Sequence, residues 1–263
     1  MRYYIELMKR YFQQVFVYRI DALFGLFGGL MGIFIQVSIW KALYAGKGMV
    51  EGFDLAEMIT YVLIVQIVRT AAEADFNRRI GGIIRTGEIS MHLIRPVPFR
   101  SALFAERAGQ TLAEFIIQLL PKLVIAALVF GIKPPASVLH GLAFVLLAVG
   151  AAILSYNIQF LEGLLCFWVI SPVYANSLNN VFFGVLSGNR IPLPFFPRFV
   201  TAIAAYLPFR FVFYVPVSVY LGKIAATDLP QYILIQWVWI AAMMVLGRVT
   251  WSRAIRKLVV QGG

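Results

Sequence analysis

Apolar residues run through this chain in blocks too long for the core of a water-soluble domain. A bilayer core about 30 Å thick is crossed by about 20 helical residues, and six runs of that size are predicted. The first covers roughly residues 20–44, opening IDALFGLFGGLMGIFIQVSIW, and the second roughly 55–76. The third covers roughly 108–131, and the last roughly 229–247, LPQYILIQWVWIAAMMVLG. Between them, Ser137 to Leu186 is about twice the length one span needs. Two spans are expected there, broken at the most polar short piece, SYNIQ, Ser155–Gln159.

Three stretches depart from the continuous apolar pattern. In residues 1–19, Glu6, Lys9, Arg10, Gln13 and Gln14 recur at helical spacing, with Ile5, Met8, Phe12, Val15 and Phe16 on the opposite face. This predicts an amphipathic helix in the membrane interface. It is not read as a signal peptide, which would show a short basic region followed by an apolar core. The bland alternative is a polar start to the first span. In residues 77–107, Phe76, Ile80, Ile83 and Ile84 fit a helical stripe continuing the second span. Gly87 is a helix stop, and a short helix from Glu88 to Ile94 is closed by Arg95-Pro96, because the residue before proline avoids the helical region. The third stretch, Ile191–Gly222, is apolar enough for a seventh span but carries Pro192, Pro194, Pro197, Pro208 and Pro216. Prolines free backbone groups that are costly at lipid depth. A re-entrant pair of short helices, residues 190–222, is the expectation.

Composition agrees with the pattern. The chain of 263 residues is 61% hydrophobic and 13% charged, with a mean hydropathy of +0.82. Soluble domains are about a quarter charged. The net charge of +11 is read as cationic loops at an anionic leaflet rather than as a nucleic-acid surface. The N-terminal piece, the 77–107 loop and the C-terminal tail fall on one side of a six-span chain and hold most of the 23 basic residues. The positive-inside rule makes that side cytoplasmic, with both termini there. Cys166 stands alone inside an apolar run, and His92 and His140, read as loop residues, are far from it. No metal pattern results.

Polar side chains inside spans are functional candidates, since an unpaired one is expensive. Gln36 and Ser38 lie on the first span, and Glu162, Asn176 and Asn180 on the fifth, Asn176 and Asn180 sharing a face. They either line a path or bond between helices, within the chain or across a dimer seam. Arg69 and Glu73 are an i,i+4 pair at the inner end of the second span, and Lys122 beside Pro121 has no assigned partner. Gly25/Gly29 and Gly28/Gly32 each fit the small-xxx-small spacing for close helix approach, serving packing inside the subunit in preference to a dimer.

The order of these features resembles the permease subunit of an ABC-2 type ABC transporter, in the two-permease branch once classed as a domain of unknown function. The resemblance rests on the N-terminal helix, six spans, the loop GEISMHLIRPVP, the segment LSGNRIPLPFFP followed by LPFRFVFYVP, and the basic tail ending VVQGG. It implies one all-α transmembrane domain over residues 1–263 in the inner cell membrane, exporting substrate as a dimer with a second permease, identical or homologous. It also implies that Glu88, Leu93, Ile94, Arg95 and Pro96 form the coupling element that docks on a separate ABC ATPase. ATP and Mg would sit on that ATPase and no cofactor on this chain, which carries no G-x-x-x-x-G-K-[ST] phosphate loop. LSGNR, Leu186–Arg190, resembles the start of the ABC signature but lacks its ending; it is set aside and placed on the outer side. An intramembrane enzyme would need a catalytic constellation that is not apparent. A stand-alone carrier would be expected to show repeated halves.

Overall fold

A computed structural model describes residues 2–17, 19–74, 76–94, 96–168 and 183–256. The described residues form an all-α membrane protein. Five helical stretches are long and apolar enough to cross a bilayer: Leu23–Leu43, Leu55–Ala72, Phe99–Phe130, Val138–Phe167 and Leu229–Ile255. The expected fifth span falls mostly on residues 169–182, outside the described residues.

In chain order the helices are α1 (Arg2–Val17), α2 (Arg19–Leu43), α3 (Leu55–Ala72), α4 (Phe76–Arg85), α5 (Ile89–Ile94) and α6 (Phe99–Glu114). α7 (Leu120–Phe130), α8 (Val138–Leu164), α9 (Arg198–Ala205), α10 (Tyr214–Tyr220) and α11 (Leu229–Ile255) follow. α3 is the central helix. Its start is fixed by a capping box, in which the Glu57 amide donates to Asp54 Oδ1 at 2.7 Å and the Asp54 amide to Glu57 Oε2 at 3.0 Å. From Met58 to Val65 every residue of it is buried. The helices around it expose the opposite pattern: Phe24 on α2, Leu128 on α7, Val138 on α8 and Leu234 on α11 are all largely bare. Only lipid or another apolar surface satisfies such faces.

The bundle has two distinct ends. One carries α1, α4, α5 and the start of α6, and is called here the basic end. α1 lies along α6, where Gly109 leaves room for the Met8 carbonyl. Arg79 of α4 ties them together, pairing with Glu106 and donating to the Tyr11 hydroxyl at 3.0 Å. The expected stripe Phe76, Ile80 and Ile83 is buried, and packs with Ile89, Phe99, Leu103, Tyr156 and Phe160. It does not prolong the second span. α3 ends at Ala72 and α4 begins as a separate helix at Phe76.

The expected break at Ser155–Gln159 is a correction: α8 runs unbroken through it to Leu164. Its polar residues face the end of α3. Ser155 Oγ and Gln159 Nε2 both donate to the Ala72 carbonyl at 2.8 Å, and the Ala74 amide donates to Gln159 Oε1 at 3.1 Å. They cap a neighbouring helix end in a dry setting, where orphan groups are costly. Asn157 accepts from Arg100 and returns its own amide to the Ile153 carbonyl at 2.6 Å. Likewise His140 is not a loop residue. It lies in the first turn of α8, its amide donating to Ser137 Oγ at 3.3 Å, and His92 lies in α5.

Ile191–Gly222 behaves as a re-entrant hairpin. Its first leg packs at the end opposite the basic one, Phe195 touching the rings of Trp40 and Phe53. Its second leg returns to that same end, where Tyr220 donates to the Lys133 carbonyl at 3.0 Å. The bend between α9 and the stretch leading into α10 is 79°. The tip reaches the level of Leu147 in α8. There Gln236, fully buried on α11, donates to the Phe211 carbonyl at 3.0 Å and the Leu147 carbonyl at 2.9 Å. Leu147 lies about 13 Å along α8 from Val138 at about 1.5 Å per residue, so the tip sits near mid-bilayer.

Candidate functional site

Two groups of residues stand out, one at the basic end and one at membrane depth. The first is α5. Gly87, at φ +75°, ends α4 in the left-handed region that glycine adopts at no steric cost. The chain turns, and Ile89 anchors α5 by burying its side chain in the cluster with Phe76 and Ile80. His92 braces it with an edge contact to the Phe99 ring, which stacks on Trp251 of α11. Met91 and Ile94, three residues apart, form the bare face of this short, anchored helix, 62% and 81% exposed, while Leu93, four residues after Ile89 and on its side, is 41% exposed. Glu88 and Pro96 are exposed as well. Arg95 lies outside the described residues. An apolar face on a six-residue helix, braced from behind and flanked by charge, is suited to insertion into a groove on a partner protein.

The second group lines a seam between α2, α3, the α6–α7 junction and Leu186–Arg190. That junction is a π-helical turn, Phe115–Leu119, before Pro121. A proline removes an amide and crowds the carbonyl four residues earlier, and the wider turn absorbs both faults. It aims Gln118 and Lys122 at α2, where Gly25 and Gly29 leave space. A methyl at Gly25 would stand 2.9 Å from Gln118 Oε1, and one at Gly29 2.8 Å from Lys122 Cδ. The two glycine pairs thus separate. Gly25 and Gly29 serve packing inside the chain, whereas a methyl at Gly28 or Gly32 would meet no atom within 4 Å among the described residues.

LSGNR is the main relocation. Three consecutive carbonyls of its turn are held by side chains from α2 and α3. Tyr61 donates to Gly188 O at 2.5 Å, Arg69 to Asn189 O at 3.2 Å and Gln36 to Arg190 O at 2.9 Å. Arg69 also reaches Asn189 Oδ1 at 3.3 Å and Glu73 at 3.4 Å. Tyr61 lies about 9 Å along α3 from Leu55 and Arg69 about 21 Å, three residues from the end of that helix, so the turn is held between those two levels. Beside it, Arg107 makes two bonds to Glu114, at 2.9 and 2.8 Å. Glu114 is therefore committed to Arg107, and it is not the partner of Lys122.

The expected path residues are only partly brought together. Gln36 belongs to the seam. Ser38 does not: it is exposed on the outer face of α2. Glu162 is a further correction. It sits at the basic end of α8, not on a fifth span, buried beside the contact of Gly163 with Ile80, and among the described residues its Oε2 meets no donor. Asn176 and Asn180, with Asn179, lie outside the described residues. Sequence reasoning passed over Gln118, Asn189 and Arg190; their signal was a polar side chain opposite a glycine or beside a charged span residue. Among the described residues no three of His, Cys, Asp or Glu gather to hold a metal ion.

A family model described as ABC-2 family transporter protein matches residues 30–262. No curated protein and no solved structure matches the chain.

Proposed function

The chain belongs to the ABC-2 transporter family and is a membrane permease of an ABC transporter, and on that footing we propose how it is driven and arranged. The basic end faces the cytoplasm in the inner cell membrane, by the positive-inside rule, with both termini on that side. A separate ATPase subunit, carrying ATP and Mg, docks there on α5. Ile94, 81% exposed on a helix whose other side is anchored by Ile89, is the observation that carries this reading. A second permease, identical or homologous, packs on the outer face of α2, where Gly28 and Gly32 allow close approach. The seam between α2, α3 and the Gly188–Arg190 turn then forms this subunit's share of an export path.

The test is capture of the co-expressed ATPase by the Leu93→Asp variant at matched membrane levels. Full burial of a leucine contributes about 1.5–3 kcal/mol, and a carboxylate in its place adds a desolvation cost. Capture should fall about tenfold or more while insertion is unchanged, because the arginines remain. Undiminished capture with normal transport would reduce α5 to a topological anchor.

A further inference from the structure

Among the described residues, the seam at membrane depth carries more positive charge than it neutralises. Arg107 and Glu114 form a closed bidentate pair, and Arg69 and Glu73 a second pair. Lys122 and Arg190 remain. Lys122 is 9% exposed, and its stem lies along the bare backbone of Gly29, where a methyl would stand 3.0 Å from Nζ. It lies within electrostatic reach of Arg69, Glu73 and Glu114, yet no described carboxylate comes within ion-pair distance. Arg190 is exposed and within electrostatic reach of Arg69, and its backbone is pinned by Gln36. The segment that leads into this turn, Trp168 to Arg190, contains no Asp or Glu.

A cation held at membrane depth without a counter-charge is costly, and such residues mark substrate pathways. The neighbourhood is apolar: Ile33 and Val37 of α2 are packed into the core, and Phe34, half exposed, touches Phe130. Resting on the permease reading, we propose that the seam binds an amphiphile with one anionic head, a carboxylate or a phosphate, and an apolar tail. Lys122 supplies a point charge to the head. Arg190 supplies a planar fork that meets two oxygens at once. The tail lies against α2. Cationic and neutral amphiphiles of the same length are excluded, the former by the two unpaired charges and the latter because it leaves them unpaired.

The full chain in phosphatidylcholine nanodiscs tests this by scintillation-proximity binding of dodecyl phosphate, with dodecyltrimethylammonium as the opposite-charge probe. Dodecyl phosphate should bind saturably and the ammonium should not compete. Lys122→Gln and Arg190→Gln should each weaken binding by about tenfold, the size of one lost charge-assisted hydrogen bond. Lys122→Arg should hold it within about threefold. Lys122→Gln should also unfold at an unchanged or higher temperature, since it removes an unpaired charge; a purely structural lysine would give the reverse. Replacing part of the phosphatidylcholine by phosphatidylglycerol separates two sources of the anion. Displacement of dodecyl phosphate assigns the head to a membrane lipid, its absence to a free amphiphile, and either supports the site. Binding that ignores Lys122 and probe charge, in a chain that still captures its ATPase, overturns this inference and leaves the permease reading standing. So does a Lys122→Gln effect confined to pairing with a second copy of the chain.

Discussion

Among the described residues, irregular backbone enters the apolar layer of this protein at two places, and different chemistry holds each. At the hairpin tip, the Phe211 carbonyl is met by Gln236, a neutral amide with no exposure, in a spot so crowded that Gly150 alone allows it. At the Gly188–Arg190 turn, three carbonyls are met by Tyr61, Arg69 and Gln36, and a cation surplus lies alongside. Both obey the rule that non-helical backbone at membrane depth must find its partners within the protein. The difference separates a plug from a site. At the tip a neutral amide donates to two carbonyls, though its own Oε1 meets no donor among the described residues, and the Arg210 guanidinium lies over the Phe211 and Tyr232 rings, so the tip is packed to stay. Charged donors at membrane depth are tolerated where something of opposite charge arrives.

The largest effect on stability is expected at the plug. Gln236→Leu has similar volume but removes both donors, leaving the Phe211 carbonyl dry and unpaired. Such a group costs about 1–3 kcal/mol. Thermal unfolding of the purified chain should shift down accordingly, while the affinity of the folded fraction for dodecyl phosphate stays as in the parent. Equal unfolding temperatures would show that water or lipid already serves this carbonyl, and the contrast between the two intrusions would collapse.

Tyr61→Phe makes the converse case at the turn. It removes one hydroxyl, 2.5 Å from the Gly188 carbonyl, for about 0.5–1.5 kcal/mol. Stability should fall less than in Gln236→Leu. Dodecyl phosphate binding should fall more, because Arg190 is aimed by the turn that Tyr61 pins. If both variants lose stability and binding in the same proportion, the two intrusions are one cooperative unit and not a plug and a site.

The sequence made much of this visible, for physical reasons that also explain the failures. Runs of about 20 apolar residues locate spans because hydrocarbon admits little else. The prolines of residues 190–222 announced a hairpin because their missing amides forbid a lone crossing helix. Gly87 and the α5 boundaries were legible because turn chemistry is local. What failed was polarity read in isolation. Ser155, Asn157 and Gln159 look like a turn along the chain, yet they serve Ala72 and Arg100, which lie far off in sequence. Glu162 moved helix for the same reason: once α8 runs straight through, it ends one span rather than lying on the next. The seam stayed hidden because its members come from four separated segments, and because LSGNR was judged by likeness to an ATPase motif instead of by what could satisfy its carbonyls.

The smallest effect concerns the mouth of the hairpin, and it sharpens the contrast by pH. There Lys133 Nζ pairs with Asp54 Oδ2 at 2.6 Å and Lys223 Nζ with Glu57 Oε2 at 2.7 Å, joining the start of α3 to both the α7–α8 connection and the end of the hairpin. Partial burial by itself would raise the Asp54 carboxyl. The Lys133 ammonium and the amides of Glu57 and Ala56 outweigh that and hold it below its ordinary value. A carboxyl depressed in the folded state stabilises above its unfolded value, near pH 4, and loses that contribution as pH falls through the folded value. The mouth should therefore loosen only in acid, while the tip, held by the neutral Gln236 with the Arg210 guanidinium over the Phe211 ring, has no carboxylate in these contacts and does not respond there. Asp54 is over a third exposed, so screening limits the effect to about 0.5 kcal/mol. Asp54→Asn should be slightly less stable than the parent at pH 7, and the two should converge below about pH 4, read by thermal unfolding across that range. A difference that persists undiminished into acid would mean that Asp54 acts as a helix cap alone, with the Lys133 pair contributing nothing.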